Sequence, residues 1–298
     1  MRGIKICMLL FFILLFKIRG QYLPVYSNYL QNPIIINPAE AGSVGAMSVA
    51  LTSRIQWAGV SNSPQSHMLS MHSPVSRFFA TGAIVGFDKF GPLNTTQFLF
   101  PFSYSCKIKK IKLSGGIQAG LVNLNNADNV VLIQEADPSF NNMIQQNILN
   151  AGGGLNVSNE RFFAGFSVPA FFSWQKSKGI EVNFSEKQWF LYGGWKFNFS
   201  KYEFSPSLYL KNTTFYGSGF DINLMINYNK LISAGVSYRN NDAIAGIVNF
   251  KFNKQLLLGY TYDYLLSNVR TISSGSHEIF IRYDFLYLLN DLNVKKFK

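Results

Sequence analysis

Apolar and polar residues alternate with a period of two along most of this chain. In the segment Phe220–Tyr228, FDINLMINY, Phe, Ile, Leu, Ile and Tyr occupy every second position, and Asp, Asn, Met and Asn lie between them. The same alternation occurs in Leu258–Leu265 and in His277–Phe285. Because successive side chains of a strand point to opposite faces, each segment is predicted to be a β-strand with one apolar face and one wetter face.

About fourteen such segments follow one another. They lie at 46–57, 65–73, 78–89, 93–107, 110–123, 147–158, 161–171, 187–200, 202–213, 217–229, 231–239, 243–253, 256–265 and 276–287. Most are long enough to cross a bilayer at a tilt, which takes about 9–11 residues. An even number of antiparallel strands with apolar residues outward indicates an all-β fold, an up-and-down outer-membrane β-barrel of about 14 strands.

The connections between these segments alternate in length. Long ones fall at 125–146, 172–186 and 267–275, and tight turns fall at 158–160, 200–201, 229–230 and 253–254. Outer-membrane barrels have short periplasmic turns and longer extracellular loops. The alternation therefore predicts an outer-membrane location with both termini in the periplasm.

Composition supports a membrane environment. Hydrophobic residues make up 48% of the chain and charged residues only 14%, against about 25% charged in soluble domains. Near the start, Arg2 and Lys5 precede the apolar run 6–16, which predicts a signal peptide, residues 1–20, cleaved between Gly20 and Gln21. An uncleaved anchor is the alternative, but this run is shorter than the roughly 20 residues of a transmembrane helix.

The remaining basic charge suits anionic lipid head groups or an acidic partner. Residues 1–20 contain four basic and no acidic residues, so the net charge of +12 becomes +8 after cleavage. Lys and Arg are scattered along the chain rather than clustered, which argues against nucleic acid as a partner. The last ten residues, 289–298, are predicted to form a basic periplasmic tail.

The segment 21–45 precedes the predicted barrel, 46–288. Its prolines Pro24, Pro33 and Pro38 argue against a central strand, whereas the apolar run Ile34–Ile36 is unlike a free tail. We expect this segment to pack inside the barrel or across its periplasmic mouth. A disordered linker is the alternative.

The pattern of reactive side chains does not indicate an enzyme. His67 and His72 would face opposite sides of one strand, and although Ser66 and Ser70 lie nearby, no acid follows them at a suitable spacing. The third histidine is His277. Cys106 is the only cysteine after residue 20, so neither a disulfide nor a cysteine metal site is predicted. No catalytic residue, cofactor or metal is therefore expected.

The first predicted strand places one charged residue in the barrel interior. Its residues divide into a lipid-facing set, Val49, Leu51, Ile55 and Trp57, and a lumen-facing set, Ala50, Thr52, Arg54 and Gln56. Since the first and last strands of a closed barrel pair, we hypothesise a lumen cluster at the seam, formed by Arg54, Asp263 and Glu278. Three separately hydrated side chains are the alternative.

Trp57, Trp174, Trp189 and Tyr287 are candidates for the interfacial aromatic girdles.

Several collinear motifs give the chain a family resemblance. NPAEAG at 37–42, SRIQWAGV at 53–60 and MHSP at 71–74 are followed by LSGGIQAGL at 113–121, EADPSF at 135–140, NAGGGL at 150–155 and the long segment 258–285. Together they resemble the PorP/SprF family of type IX secretion membrane proteins of Bacteroidetes. Glu40, where the family usually has an aromatic residue, and the basic tail depart from the pattern.

The resemblance implies an outer-membrane barrel that supports export or cell-surface attachment of secreted proteins such as adhesins, in some members for gliding motility. Its implied partners are outer-membrane lipid, other type IX secretion components and a secreted surface protein. A channel or transporter for small or hydrophobic solutes is the alternative. The motif residues, which look structural, are Asn37, Pro38, Ala39, Gly42, Arg54, Gln56, Trp57, Gly59, Pro64, Pro74, Asp263, Gly275, His277 and Glu278.

Overall fold

A computed structural model describes residues 26–91, 93–126, 146–175, 179–181, 188–213 and 217–286. Sixteen strands lie within these ranges. They are β1 Met47–Ile55, β2 Gln65–Pro74, β3 Phe79–Phe90, β4 Leu93–Ile108, β5 Ile111–Asn126, β6 Gln146–Ser158, β7 Phe162–Gln175, β8 Gly179–Glu181, β9 Trp189–Trp195, β10 Phe197–Phe199, β11 Tyr202–Thr213, β12 Gly217–Tyr228, β13 Ile232–Arg239, β14 Ala243–Lys251, β15 Leu256–Leu265 and β16 Ser276–Phe285.

The strands close into an antiparallel barrel. Each long strand pairs with the next along the chain, and β1 pairs with β16 in a register that runs from Met47 opposite Phe285 to Ile55 opposite His277. The short strands β9 and β10 both pair with β11, one after the other along its length. The short strand β8 pairs with the end of β7, and β9 pairs with its beginning, so β8, β9 and β10 share one position in the wall. Within the described residues the barrel wall therefore has fourteen strand positions, which confirms the predicted fold class and strand number.

Side chains along the strands alternate between the lumen and the lipid face. On β1, Ala50, Thr52 and Arg54 are buried, whereas Leu51 and Ile55 are 43% and 42% exposed. Trp57 departs from the predicted lipid face, because β1 ends at Ile55 and Trp57 lies in a turn with a φ of 52°. None of the described helices has the length and apolar character needed to cross a membrane.

The two ends of the barrel differ in their connections. The end at which β1 begins and β16 ends, called the turn end below, has tight hairpins such as Asn229–Lys230, where both residues have positive φ as in a type I′ turn. The opposite end, called the loop end, holds the connections 56–64 and 266–275. The loop end also has short connections, at 240–242 for example, so the predicted alternation is incomplete. The predicted loops at 125–146 and 172–186 lie mostly outside the described residues.

The barrel interior is filled by residues 26–45, called the lumen segment below. It forms three 3-10 turns, Tyr29–Gln31, Pro33–Ile35 and Pro38–Glu40. Proline begins two of these turns, where its fixed φ is suitable and its missing N–H costs nothing. Ile34 packs against Met68 and Ile84, and Ile36 belongs to a second buried cluster with Tyr209.

A lumen segment held by buried charges as the candidate functional site

Six charged side chains on the lumen face form a buried cluster near the loop end. This lumen charge cluster comprises Arg54, Lys211, Asp221, Arg239, Asp263 and Glu278, each no more than 3% exposed. All six occupy positions whose side chains point into the lumen. They lie in the loop-end halves of β1, β11, β12, β13, β15 and β16, so they are at a similar height along the barrel axis. The three cations match the three anions, which reduces the cost of burying each charge.

Arg54 lies at the seam of the barrel, directly opposite Glu278 in the pairing of β1 with β16. Its Nη1 is 3.2 Å from Glu278 Oε2, and its Nη2 donates to Asp263 Oδ2. The structure thus brings together the three residues hypothesised to form the seam cluster.

The sequence pattern did not identify the other half of the cluster. Arg239 Nη1 is 3.2 Å from Asp263 Oδ2 and 3.0 Å from Asp242 Oδ2. Lys211 Nζ is 3.3 Å from Asp221 Oδ1. The sequence did contain a signal for these residues, because each is a charged residue at a lumen-facing position of its strand.

The cluster binds the beginning of the lumen segment. Glu278 accepts hydrogen bonds from the backbone amides of Ser27 at 2.7 Å and Asn28 at 2.8 Å. The Ser27 hydroxyl accepts from Arg54 Nη1 and Arg239 Nη2, both at 2.8 Å, and donates to Asp263. Hydrogen bonds to charged partners are stronger than neutral ones, so the cluster anchors the lumen segment as well as the seam.

Further contacts hold the lumen segment along the barrel axis. The motif residue Asn37 donates through Nδ2 to the Leu155 carbonyl at 3.0 Å and to the Tyr192 hydroxyl at 3.1 Å, and its Oδ1 caps the turn at Ala39. Nearer the turn end, Gly42 N donates to His72 Nδ1 at 3.0 Å. Because Tyr26 lies at the level of Arg54 and the segment reaches β1 at the turn end, it runs the length of the described lumen.

Glu40 is buried beside this segment. Its carboxylate accepts a 2.8 Å hydrogen bond from the Tyr192 hydroxyl. Burial raises the pKa of Glu40 above its ordinary value, and the hydrogen bond from Tyr192 and the charges of Lys112 and Lys196 offset part of that rise. Glu40, where the family usually has an aromatic residue, thus places an ionisable group in the filled lumen.

Glycines on the barrel wall make room for the segment. A Cβ added at Gly116 would overlap the backbone of Pro38 and Ala39, and one added at Gly154 would overlap Asn37 Oδ1. Among the described residues, a cavity of about 290 Å³ lies inside the barrel wall near the loop end, and a cavity of about 410 Å³ lies beside the segment near the turn end. Trp57 and Gln56 line the former, and Glu40 lines the latter.

The remaining motif residues stabilise the loop end or the turn end. Gln56 N donates to the Pro64 carbonyl at 2.9 Å, and Ala58 N donates to the Gly275 carbonyl at 2.8 Å, so the connection after β1 is joined to the connection before β16. Gly59 and Gly275 have φ of 92° and 112°, which favour glycine. At the loop end, His277 Nδ1 is also 2.7 Å from the Tyr260 hydroxyl on the outer face. At the turn end, Pro74 lies beside Gly42.

These contacts hold the lumen segment against the barrel wall and join the connections at the loop end. Among the described residues, no group of three His, Cys, Asp or Glu side chains is placed to hold a metal ion. The fold and the filled lumen define the class of the molecule as an outer-membrane β-barrel.

Comparison with known proteins identifies the family. The model of the type IX secretion system membrane proteins PorP/SprF matches residues 18–283, so the chain belongs to that family, as its motifs predicted. It is therefore a membrane component of the type IX secretion system, and membership implies interaction with other components of that system. The search of the curated proteins finds no match.

One solved structure supports the barrel architecture, and two others are similar at lower scores. The toluene transporter TodX of P. putida has a TM-score of 0.51 and 11% identity over 85% of this chain and 94% of its own. The toluene transporter TbuX of Ralstonia pickettii has 0.49 and 12% identity over 84% and 92%, and Omp33 of Acinetobacter baumannii has 0.47 and 6% over 80% and 98%. At these identities the likeness to TodX shows the fold alone.

Proposed function

We propose that this protein is a non-enzymatic barrel that supports the export or cell-surface attachment of secreted proteins, adhesins among them, within the type IX secretion system. The observation that carries the proposal is the lumen segment. Charged hydrogen bonds at the loop end and apolar packing further down fix it across the lumen. A barrel filled in this way is suited to presenting its surfaces to partner proteins.

The competing function is a channel or transporter for small or hydrophobic solutes. The fold similarity to the toluene transporter TodX keeps this function under consideration. A transporter needs a path along the lumen, however, and Tyr29, Ile34 and Ile36 are all buried in contact with the barrel wall. The filled lumen therefore favours the secretion role.

The short hairpins suggest how the barrel is oriented. In the proposed orientation the turn end, including the end of β16, faces the periplasm, and the loop end faces the cell exterior. Tyr26 then lies at the outer end of the lumen. The prediction that the N-terminus is periplasmic falls on residues before Tyr26, which are outside the described residues. Periplasmic components of the secretion system would meet the hairpins, and a secreted protein would meet the loop end.

Deleting the gene and comparing the proteins on the cell surface tests the proposal. Loss of one large adhesin is expected if the barrel serves a single secreted protein, and loss of all type IX cargo if it is a general component. Complementation with the wild-type gene should restore the lost proteins. An unchanged surface proteome with reduced uptake of a small solute would instead support the transporter.

A further inference from the structure

Every hairpin at the turn end carries an exposed cation. The six hairpins described there join β2 to β3, β4 to β5, β6 to β7, β10 to β11, β12 to β13 and β14 to β15. Their exposed basic residues form what is called the basic ring below: Arg77, Lys109, Lys110, Arg161, Lys201, Lys230 and Lys254. Glu160 is the only acidic residue on these six hairpins. The ring is therefore strongly positive.

The cations of the basic ring have no anionic partner in the part of the chain that the structure describes. Among the described residues, none of the seven lies within 4.0 Å of a carboxylate oxygen in an ion pair. Arg77 instead lies over the ring of Phe78, 5.6 Å from its centroid. This contrasts with the lumen charge cluster, where each cation has an anionic partner.

An aromatic girdle lies on the lipid face immediately beside the ring. Phe79 begins β3, Phe199 ends β10 and Phe252 directly follows β14. They are 58%, 62% and 60% exposed. Ring pairs extend this girdle around the turn end, for example Phe162 with Trp195 and Tyr202 with Tyr228. Exposed aromatic residues mark the level of the lipid head groups, so the seven cations lie at or just beyond that level.

We propose that the basic ring binds the anionic head groups of phospholipids in the leaflet at the turn end. The cations lie on all six described hairpins, from β2 round to β15, and are absent only from the seam of β16 and β1. This wide distribution matches lipids that surround a barrel rather than a partner bound to one face. Lys and Arg next to a bilayer surface attract anionic lipid. The inference does not depend on the proposed role in secretion, because it rests on the charges and the girdle alone.

Lipid selectivity of the full-length protein, reconstituted in phosphatidylcholine vesicles, tests the proposal. Electron spin resonance of spin-labelled phosphatidylglycerol and phosphatidylcholine measures which lipid associates with the barrel. We expect the wild type to prefer phosphatidylglycerol by about fivefold at contacted sites. Replacing all seven cations by Gln should reduce the preference to about one. Because the Debye length is only about 3 Å at 1 M salt, high salt should reduce it as well.

A matched pair of double variants separates the ring from a general effect of charge. The variant Lys201→Gln/Lys230→Gln removes two exposed turn-end cations, and Lys89→Gln/Arg270→Gln removes two exposed loop-end cations. Only the first should lower the preference for phosphatidylglycerol, while both should keep the heat-dependent gel migration of a folded barrel. Equal effects of the two variants would overturn the proposal. No wild-type preference would also overturn it, and would point to an acidic protein surface instead.

Discussion

At the scale of single residues, the lumen charge cluster shows why charges are tolerated inside this barrel. Burying an ion costs several kcal/mol, and a partner repays this only with good geometry and further hydrogen bonds. Glu278 has both, because it pairs with Arg54 and accepts two backbone amides from the lumen segment. Any apolar residues could fill the same space, but charges with fixed partners specify one register of the seam and one position of the segment.

Replacing Arg54 by Met should lower the free energy of unfolding by about 3 kcal/mol, because Glu278 is left buried without its cation. Asp263 should suffer less, since Arg239 lies 3.2 Å away. In the double variant Arg54→Met/Glu278→Met the loss should be smaller than the sum of the single losses by about 1–3 kcal/mol. Urea unfolding in detergent micelles, followed by tryptophan fluorescence, measures each value.

Glu203→Gln combined with Arg54→Met serves as the control for that cycle. Glu203 hydrogen-bonds Asn227 near the turn end and shares no partner with Arg54. These two changes should therefore be additive. Additive losses for Arg54 and Glu278 as well would contradict the role of the pair in closing the seam.

Glu40 predicts a dependence of stability on pH. It belongs to the lumen segment, and burial raises the pKa of its carboxyl group in the folded protein. The charged form is then disfavoured by folding, so its cost is absent below the unfolded pKa of about 4.3 and grows as the pH rises through the raised folded pKa. Each unit of pKa difference corresponds to about 1.4 kcal/mol.

The variant Glu40→Gln should therefore be more stable than the wild type at pH 7.5 and equally stable at pH 4. Gln keeps an oxygen that can accept from the Tyr192 hydroxyl, so the hydrogen bond is retained. Urea midpoints at the two pH values measure the difference. A stability gain that is the same at both pH values would show that ionisation of Glu40 is not the cause.

At the scale of elements, the strands were predictable because lipid contacts one face of each strand and the polar lumen contacts the other. Apolar and polar residues therefore alternate with a period of two. The predicted spans 202–213, 217–229 and 256–265 match β11, β12 and β15 to within one residue at either end. Trp57 was misassigned, because a positive φ after Ile55 ends the alternation and periodicity contains no signal for it.

The site could be predicted from the sequence only where the order of the strands along the chain determines which strands are adjacent in the barrel. Arg54 and Glu278 were paired from the sequence because barrel closure makes the first and last strands adjacent. Ser27 and Arg239 could not be, because their contact depends on how the lumen segment is positioned in the finished barrel. Prolines and the run Ile34–Ile36 indicated that the segment would be buried, but not its 3-10 turns.

The contact between the lumen segment and the wall can be tested with Gly116→Val. A Cβ at this position overlaps the backbone of Pro38 and Ala39, whereas valine itself suits a strand. We expect the segment to be displaced and the barrel to conduct ions in planar bilayers, while the wild type stays closed.

Gly246→Val is the matched control for this variant. Gly246 lies on the exposed face of β14, and a Cβ there would meet no atom within 4 Å. This variant should remain closed. Large steady conductance in the wild type would contradict closure by the lumen segment, and a closed Gly116→Val barrel would show that the segment adapts to the added side chain.

At the scale of the whole molecule, the two ends of the barrel are chemically different. The turn end has tight hairpins with the basic ring, and the loop end has the connections that join residues 56–64 to 273–276 and the charges that hold the lumen segment. A barrel with such different ends has a defined orientation in an asymmetric membrane. The proposed orientation places the hairpins in the periplasm.

Trypsin added to intact cells tests this orientation, because the lysines at the two ends give different fragments. The predicted outer loop 172–186 contains Lys176 and Lys178, whereas Lys109, Lys201 and Lys230 lie on turn-end hairpins. If the loop end faces outward, cleavage should occur after Lys176 or Lys178 and leave the hairpins intact. Permeabilised cells are the control, in which the hairpins become accessible from the periplasm. Cleavage of intact cells only at the hairpin lysines would require the opposite orientation, since a protease outside the cell reaches only the exterior face of the barrel.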